Sequence, residues 1–209
     1  MITILNDRFS LYTNFELLHN DILKVNLQEL IDINLKELNL TNAKVVANLP
    51  YYITTPIIMK LLEEKLNLTS ITVMVQKEVA LRLVSKPGGK ECGAITYTIN
   101  YYTNPELILD VPNDSFIPAP KVNSAVIKLN VLDKPKVIVK NEKIFFQTIK
   151  YAFMQKRKTL LNSLANSGIA SKDVIENILN TLNIDTSIRA ERLSLEDFSK
   201  ISEALDIQR

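Results

Sequence analysis

The feature that most constrains this chain is a change of hydrophobic period near residue 132. Before it, short β-branched runs alternate with segments of helical period; after it, only the helical period remains. Such alternation predicts an α/β protein with a largely parallel sheet, followed by a small all-helical part. The run FELLHNDILKV (15–25) reads as a strand carried into Asp21, and LQELIDINLKEL (27–38) as a helix. AKVVANL (43–49) suits a buried parallel strand. In TTPIIMKLLEEKLNL, Thr55 is placed to cap a helix and Pro56 to occupy its first position. ITVMVQ (71–76) predicts a further strand and KEVALRLVS a further helix, while residues 94–102 fit either. PELILDV and NSAVIKLNV predict an antiparallel pair closing one edge.

Beyond the linker LDKPKVIVKN, helices are expected near 142–155, 156–166 (stopped by Gly168), 172–182, and from 195 behind the capping box SLED. The expected division is 1–132 for the α/β part and 133–209 for the helical part.

Composition narrows the chemistry. At 46% hydrophobic and 23% charged, the 209 residues suit a globular protein. No apolar run approaches bilayer length, and the opening MITILNDRFSLYT is too polar for a secretory signal. Cys92 and His19 are the only residues of their kinds, which excludes a disulfide framework, a zinc cluster and Cys–His catalysis within the chain. These features fit a cytoplasmic protein. Net charge is +2, yet residues 134–160 hold eight Lys and Arg against Glu142 alone, or +7, leaving −5 elsewhere. That segment reads either as a polyanion contact or as a solvated helix face.

The stretch NLPYYITTP (48–56) follows one of the predicted strands, where open α/β sheets bind their ligands. The exocyclic N6 of adenine is a poor nucleophile because its lone pair is delocalised into the ring. Two acceptors on its hydrogens favour a pyramidal nitrogen with a localised lone pair. The Asn48 side-chain oxygen and the Leu49 carbonyl are candidate acceptors. Pro50 fixes the backbone that aims the carbonyl, and Tyr51 offers a face for stacking. Against a methyl sulfonium no strong base is required. The alternative is an ordinary strand-to-helix turn, since Asn and Pro are turn residues.

NLPYYITTPII, MVQKEVALRL (74–83), SFIPAPKVNSAVIKL (115–129), YAFMQKRKTLLNSL (151–164) and RAERLSLEDF (189–198) together resemble the S-adenosylmethionine-dependent ribosomal RNA adenine dimethyltransferases. The similarity is strongest to the branch that dimethylates two adjacent adenines near the 3′ end of 16S rRNA. It is weaker to the large-subunit resistance enzymes, which remain a lesser alternative. The resemblance implies a Rossmann-like methyltransferase sheet with a small all-helical C-terminal domain, a 16S rRNA partner on the small ribosomal subunit, no membrane partner and a monomer. It implies amine-holding and stacking roles for Asn48, Leu49, Pro50 and Tyr51, with Phe153 closing over the other face of the flipped base. Asp21 and Asn48 match cofactor-side positions, and Lys156, Arg157 and Lys158 match positions along rRNA phosphates. Phe116, Pro118, Pro120 and Lys121 match a loop bordering the target pocket, with Lys121 also meeting RNA backbone.

One departure stands out. The family's cofactor site uses a Gly-rich turn after the first strand and an acid after the second, and neither is present. The four glycines are Gly88, Gly89, Gly93 and Gly168, none in a strand–turn–helix loop. About two βα units, roughly sixty residues, are unaccounted for. The expectation is a chain shortened at its N-terminus that binds S-adenosylmethionine poorly, with an unpaired edge beside the NLPY strand. A shortened chain that docks on rRNA without methylating it is the competing expectation.

Overall fold

The computed structural model describes residues 2–89, 91–155 and 157–207. The chain forms two compact units: residues up to Ala43 together with Tyr52–Asn67, and Lys44–Tyr51 together with Leu68 onward.

The first unit contains three helices, α1 (Ile2–Phe9), α2 (Leu27–Glu37) and α3 (Thr54–Glu63). The Asn26 side chain caps α2 by accepting from the Glu29 N–H at 3.2 Å. No strand forms over 15–25, contrary to the sequence expectation; the segment is turns and irregular backbone. An isolated strand leaves its N–H and C=O groups unmatched, and the described sheet offers this segment no neighbour. Asp21 closes a local turn instead, its Oδ1 accepting from the Leu23 N–H at 3.0 Å and its carbonyl from Lys24 at 2.8 Å. Thr55 does not cap α3. A 3-10 turn at Tyr51–Ile53 leads directly into the helix, which begins at Thr54 with Ile53 in the cap position, so Pro56 lies within the first turn.

The second unit holds the sheet. Strands β1 (Ala43–Asn48), β2 (Leu68–Gln76), β3 (Thr103–Val111) and β4 (Ser124–Val131) lie in the order β1-β2-β4-β3. β4 is inserted antiparallel between β2 and β3, so the sheet is mixed rather than largely parallel. β1 is an edge strand and is not buried. Its residues alternate between half-buried and exposed, and Val46 is 80% exposed. On β2 and β4 the alternation falls the other way: Ile71, Val73, Val75, Ile127 and Leu129 are fully or almost fully buried.

α4 (Lys77–Val84) packs against β2, β3 and β4, and α5 (Ala94–Tyr102) packs against α4 and β3. Residues 94–102 are thus helical. The Thr96 hydroxyl accepts from the Gly93 N–H at 3.0 Å and donates to the Arg82 carbonyl at 2.8 Å, which starts the helix and ties it to α4. From Glu142 the elements are α6 (Glu142–Ala152), α7 (Leu160–Ser167), α8 (Lys172–Thr181) and α9 (Leu195–Ile207). Their core centres on Phe145, Leu160, Leu164, Leu179, Phe198 and Ile201, joined by Tyr97 and Tyr101 of α5. Burying each such large side chain contributes roughly 1.5–3 kcal/mol. Gly168 ends α7 in the left-handed region at φ 76°, where a side chain would be strained. Ser194 and Asp197 form the reciprocal capping box of α9 at 2.9 and 3.0 Å.

Candidate target-base site

The residues that matter follow from where β1 stops. Asn48 is its last residue and is exposed, Leu49 is buried and Pro50 is exposed. Tyr51, 36% exposed, opens the 3-10 turn. The buried Leu49 side chain anchors the turn, and the Asn48 side chain beside it is exposed. The Tyr51 hydroxyl lies 2.7 Å from Oγ of the fully buried Ser124. Ser124 opens β4 opposite Gln76, the last residue of β2. The phenol therefore reaches from the carboxyl end of β1 to the carboxyl end of β2, and one edge of the ring is fixed while its surface stays partly open. Ser124 escaped the sequence reading, although it lies within the SFIPAPKVNSAVIKL motif.

The β3–β4 connection stands at the same end. Phe116 and Pro120 are half-buried, whereas Pro118 and Lys121 are exposed; the Ile117–Pro118 peptide is cis. Gln76, Lys77, Asn113, Lys121 and Asn123 border a cavity of about 490 Å³. Lys77 is held by Asp110 at 3.0 Å.

Phe153 belongs to the same unit. It caps α6, and its ring packs 5.4 Å from that of Tyr97 and 6.4 Å from that of Phe198. It also borders a second cavity, of about 410 Å³, with Arg82, Cys92, Gln155, Lys158 and Glu191. Arg157 and Lys158 of the basic run are not on a helix. α6 ends at Ala152 and α7 starts only at Leu160, because the Thr159 hydroxyl caps it, accepting from the Asn162 N–H at 3.4 Å. Arg157 and Lys158 are exposed in the intervening turn, and Lys156 lies outside the described residues.

Tyr97 is the buried hub that sequence reasoning missed. Its hydroxyl lies 2.6 Å from the Leu193 carbonyl and 3.1 Å from that of Ala190, and it accepts from the Gly88 N–H at 3.4 Å. Burial pushes the phenol well above its ordinary range, chiefly by desolvation. The Cys92 thiol, which donates to the Glu191 carbonyl at 3.4 Å, is likewise pushed up by burial.

Residues 1–206 match the family described as "Ribosomal RNA adenine dimethylase". The chain belongs to the ribosomal RNA adenine dimethylase family. Members of this dimethylase family are S-adenosylmethionine-dependent methyltransferases. A Clostridioides difficile (strain 630) protein named "Ribosomal RNA small subunit methyltransferase A" is 50% identical over 206 residues, 99% of this chain and 70% of the relative. A Bacillus pumilus (strain SAFR-032) protein of the same name is 46% identical over 208 residues, 98% of this chain and 70% of the relative. The fold is that of a dimethyladenosine transferase from Plasmodium falciparum, with TM-score 0.72 and 22% identity, covering 96% of this chain and 76% of that one. It is shared with the 23S rRNA methyltransferase ErmE, with TM-score 0.66 and 19% identity, covering 98% and 77%. These likenesses establish the Rossmann-like α/β class.

The described residues do not make up a whole site for S-adenosylmethionine. Gly88 turns the chain after α4 at φ 84°, Gly93 precedes α5 and Gly168 ends α7, so these glycines serve other turns. Asp21, exposed, is committed to its own turn in the first unit.

Proposed function

We propose that this dimethylase acts on 16S rRNA, dimethylating N6 of two adjacent adenines near its 3′ end. The observation that carries this is the NLPY turn at the end of β1, with its tyrosine pinned to Ser124 at 2.7 Å. The Asn48 amide oxygen and the Leu49 carbonyl accept the two N6 hydrogens, which concentrates the lone pair on nitrogen. The Tyr51 ring supports the base, and the bond to Ser124 limits its rotation. Phe153 is assigned the opposite face. When bound, S-adenosylmethionine would supply an electrophilic methyl group; the chain's own task is to bind and orient the acceptor. Asn48 is also assigned to the cofactor side of the site.

Support for the small-subunit substrate comes from relatives at 45–50% identity that carry that name. Likeness to ErmE is one of fold alone. In this reading residues 1–132 are the catalytic part and residues 133–209 the rRNA-binding part, with Lys121, Lys156, Arg157 and Lys158 on phosphates. The protein works as a cytoplasmic monomer on the small ribosomal subunit, with no membrane partner.

Asn48→Ala tests the assignment. Methyl transfer to 16S rRNA is expected to fall about a hundredfold, as when one preorganised polar contact is removed from a transition state, with rRNA binding nearly unchanged. Loss of both together would show that Asn48 has another job. A second reading is docking on rRNA without methylation. Calorimetric titration with S-adenosylhomocysteine separates the two: micromolar binding by the folded chain supports the enzyme, and no binding supports the docking module.

A further inference from the structure

We propose that Ile117 is an aliphatic wedge that enters the rRNA stack beside the target adenine. The inference rests on the rRNA reading above. Ile117 is 102% exposed, as open as in an extended peptide. A side chain wholly in water adds nothing to the core, and lone exposed aliphatic residues are common. What distinguishes this one is its mounting.

The loop 112–123 is braced across its base. The Asn113 N–H donates to Asn123 Oδ1 at 3.0 Å, and the Asn113 side-chain amide donates to the Pro120 carbonyl at 3.2 Å. A 3-10 turn, Asn113–Ser115, stiffens the entry, with the Ser115 N–H donating to the Pro112 carbonyl at 3.2 Å and that of Phe116 to Asn113 at 3.3 Å. Pro118 and Pro120 restrict the backbone on the far side of the tip. Half-buried Phe116, immediately before Ile117, anchors the chain at the tip. A side chain presented on such a support loses little conformational freedom on binding.

Position and charge select the partner. The loop ends at Asn123, one residue before the Ser124 that holds Tyr51. Lys121, exposed on the same loop, and Lys77 border the 490 Å³ cavity at its foot. An aliphatic tip on a loop that also presents the exposed Lys121 suits a nucleic acid strand, whose phosphate meets that lysine while its bases meet the wedge. Extruding a base leaves a gap in the stack and costs a few kcal/mol. An inserted aliphatic group offsets part of that cost, as apolar wedges do elsewhere.

A hairpin from the 3′ end of 16S rRNA, with 2-aminopurine in place of one target adenine, reports unstacking through its fluorescence. Titrated with the full 209-residue chain, it is expected to brighten on binding. Ile117→Ala is expected to cut that rise at least threefold or so, with Kd changed by less than about threefold, and Ile117→Met to restore it. An undiminished rise with Ile117→Ala overturns the wedge. A parallel loss of binding and brightening also overturns it, by making Ile117 an affinity contact. No binding by the unsubstituted chain overturns the rRNA reading itself, and the wedge with it.

Discussion

The Tyr51 phenol and the Ser124 hydroxyl meet at 2.7 Å across seventy-three residues of chain. This bond joins the turn after β1 to the first residue of β4, so it fixes the Tyr51 ring through the sheet rather than through the turn alone. Ser124→Ala is expected to cost about 0.5–1.5 kcal/mol in urea denaturation. Because Tyr51→Phe removes the same bond, the double variant should cost clearly less than the sum of the two single changes. Strict additivity would mean that the hydroxyls do not interact.

Tyr97→Phe removes a buried donor that lies 2.6 Å from the Leu193 carbonyl and 3.1 Å from that of Ala190. Leaving these acceptors unmatched in a fully buried setting is expected to cost about 1–3 kcal/mol. Denaturant midpoints at constant slope check this, and an unchanged midpoint would remove Tyr97 as the clamp on the segment before α9.

The same phenol predicts an alkaline limit to stability. Its folded titration is raised by burial, as is that of Tyr101, where desolvation acts first and the Glu142 charge second. A neutral form favoured in the folded state contributes stability that is complete below the unfolded value near 10. It is lost as pH climbs from there toward the folded value, because the unfolded chain releases the proton first. Stability should therefore fall above about pH 10, and fall less steeply in Tyr97→Phe. Equal slopes for the two proteins would contradict this.

Charge reversal at Arg157 and Lys158 tests the exposed turn between α6 and α7. rRNA affinity should drop, and the slope of log affinity against log salt should shrink by roughly one for each phosphate no longer neutralised. An unchanged slope would place the RNA face elsewhere.

Cys92 should react slowly. Its thiol is partly buried and its titration is raised, so little thiolate exists near neutrality. Modification by a disulfide reagent at about pH 8 is expected to run roughly tenfold slower in the folded chain than in urea. Matching rates would show an open thiol.

What the sequence determined by itself was local. Period and capping chemistry marked α2, α4, α8 and α9, the β3–β4 pair, and the stop at Gly168, because each depends on neighbours within a few residues. The NLPY turn was legible for the same reason, since its acceptors and ring are contiguous. Tertiary structure decided what depends on distant partners. Whether 94–102 became helix or strand turned on the Thr96 link to Arg82 and on a place for Tyr97 in the helical core. FELLHND read as a strand but had no described strand to satisfy its backbone, and β1 read as buried but became an edge. The Tyr51–Ser124 bond, the seating of Phe153 against Tyr97 and Phe198, and the outward mounting of Ile117 arise only once the sheet and helices assemble. Periodicity records which face of an element is apolar; only packing decides what that face meets.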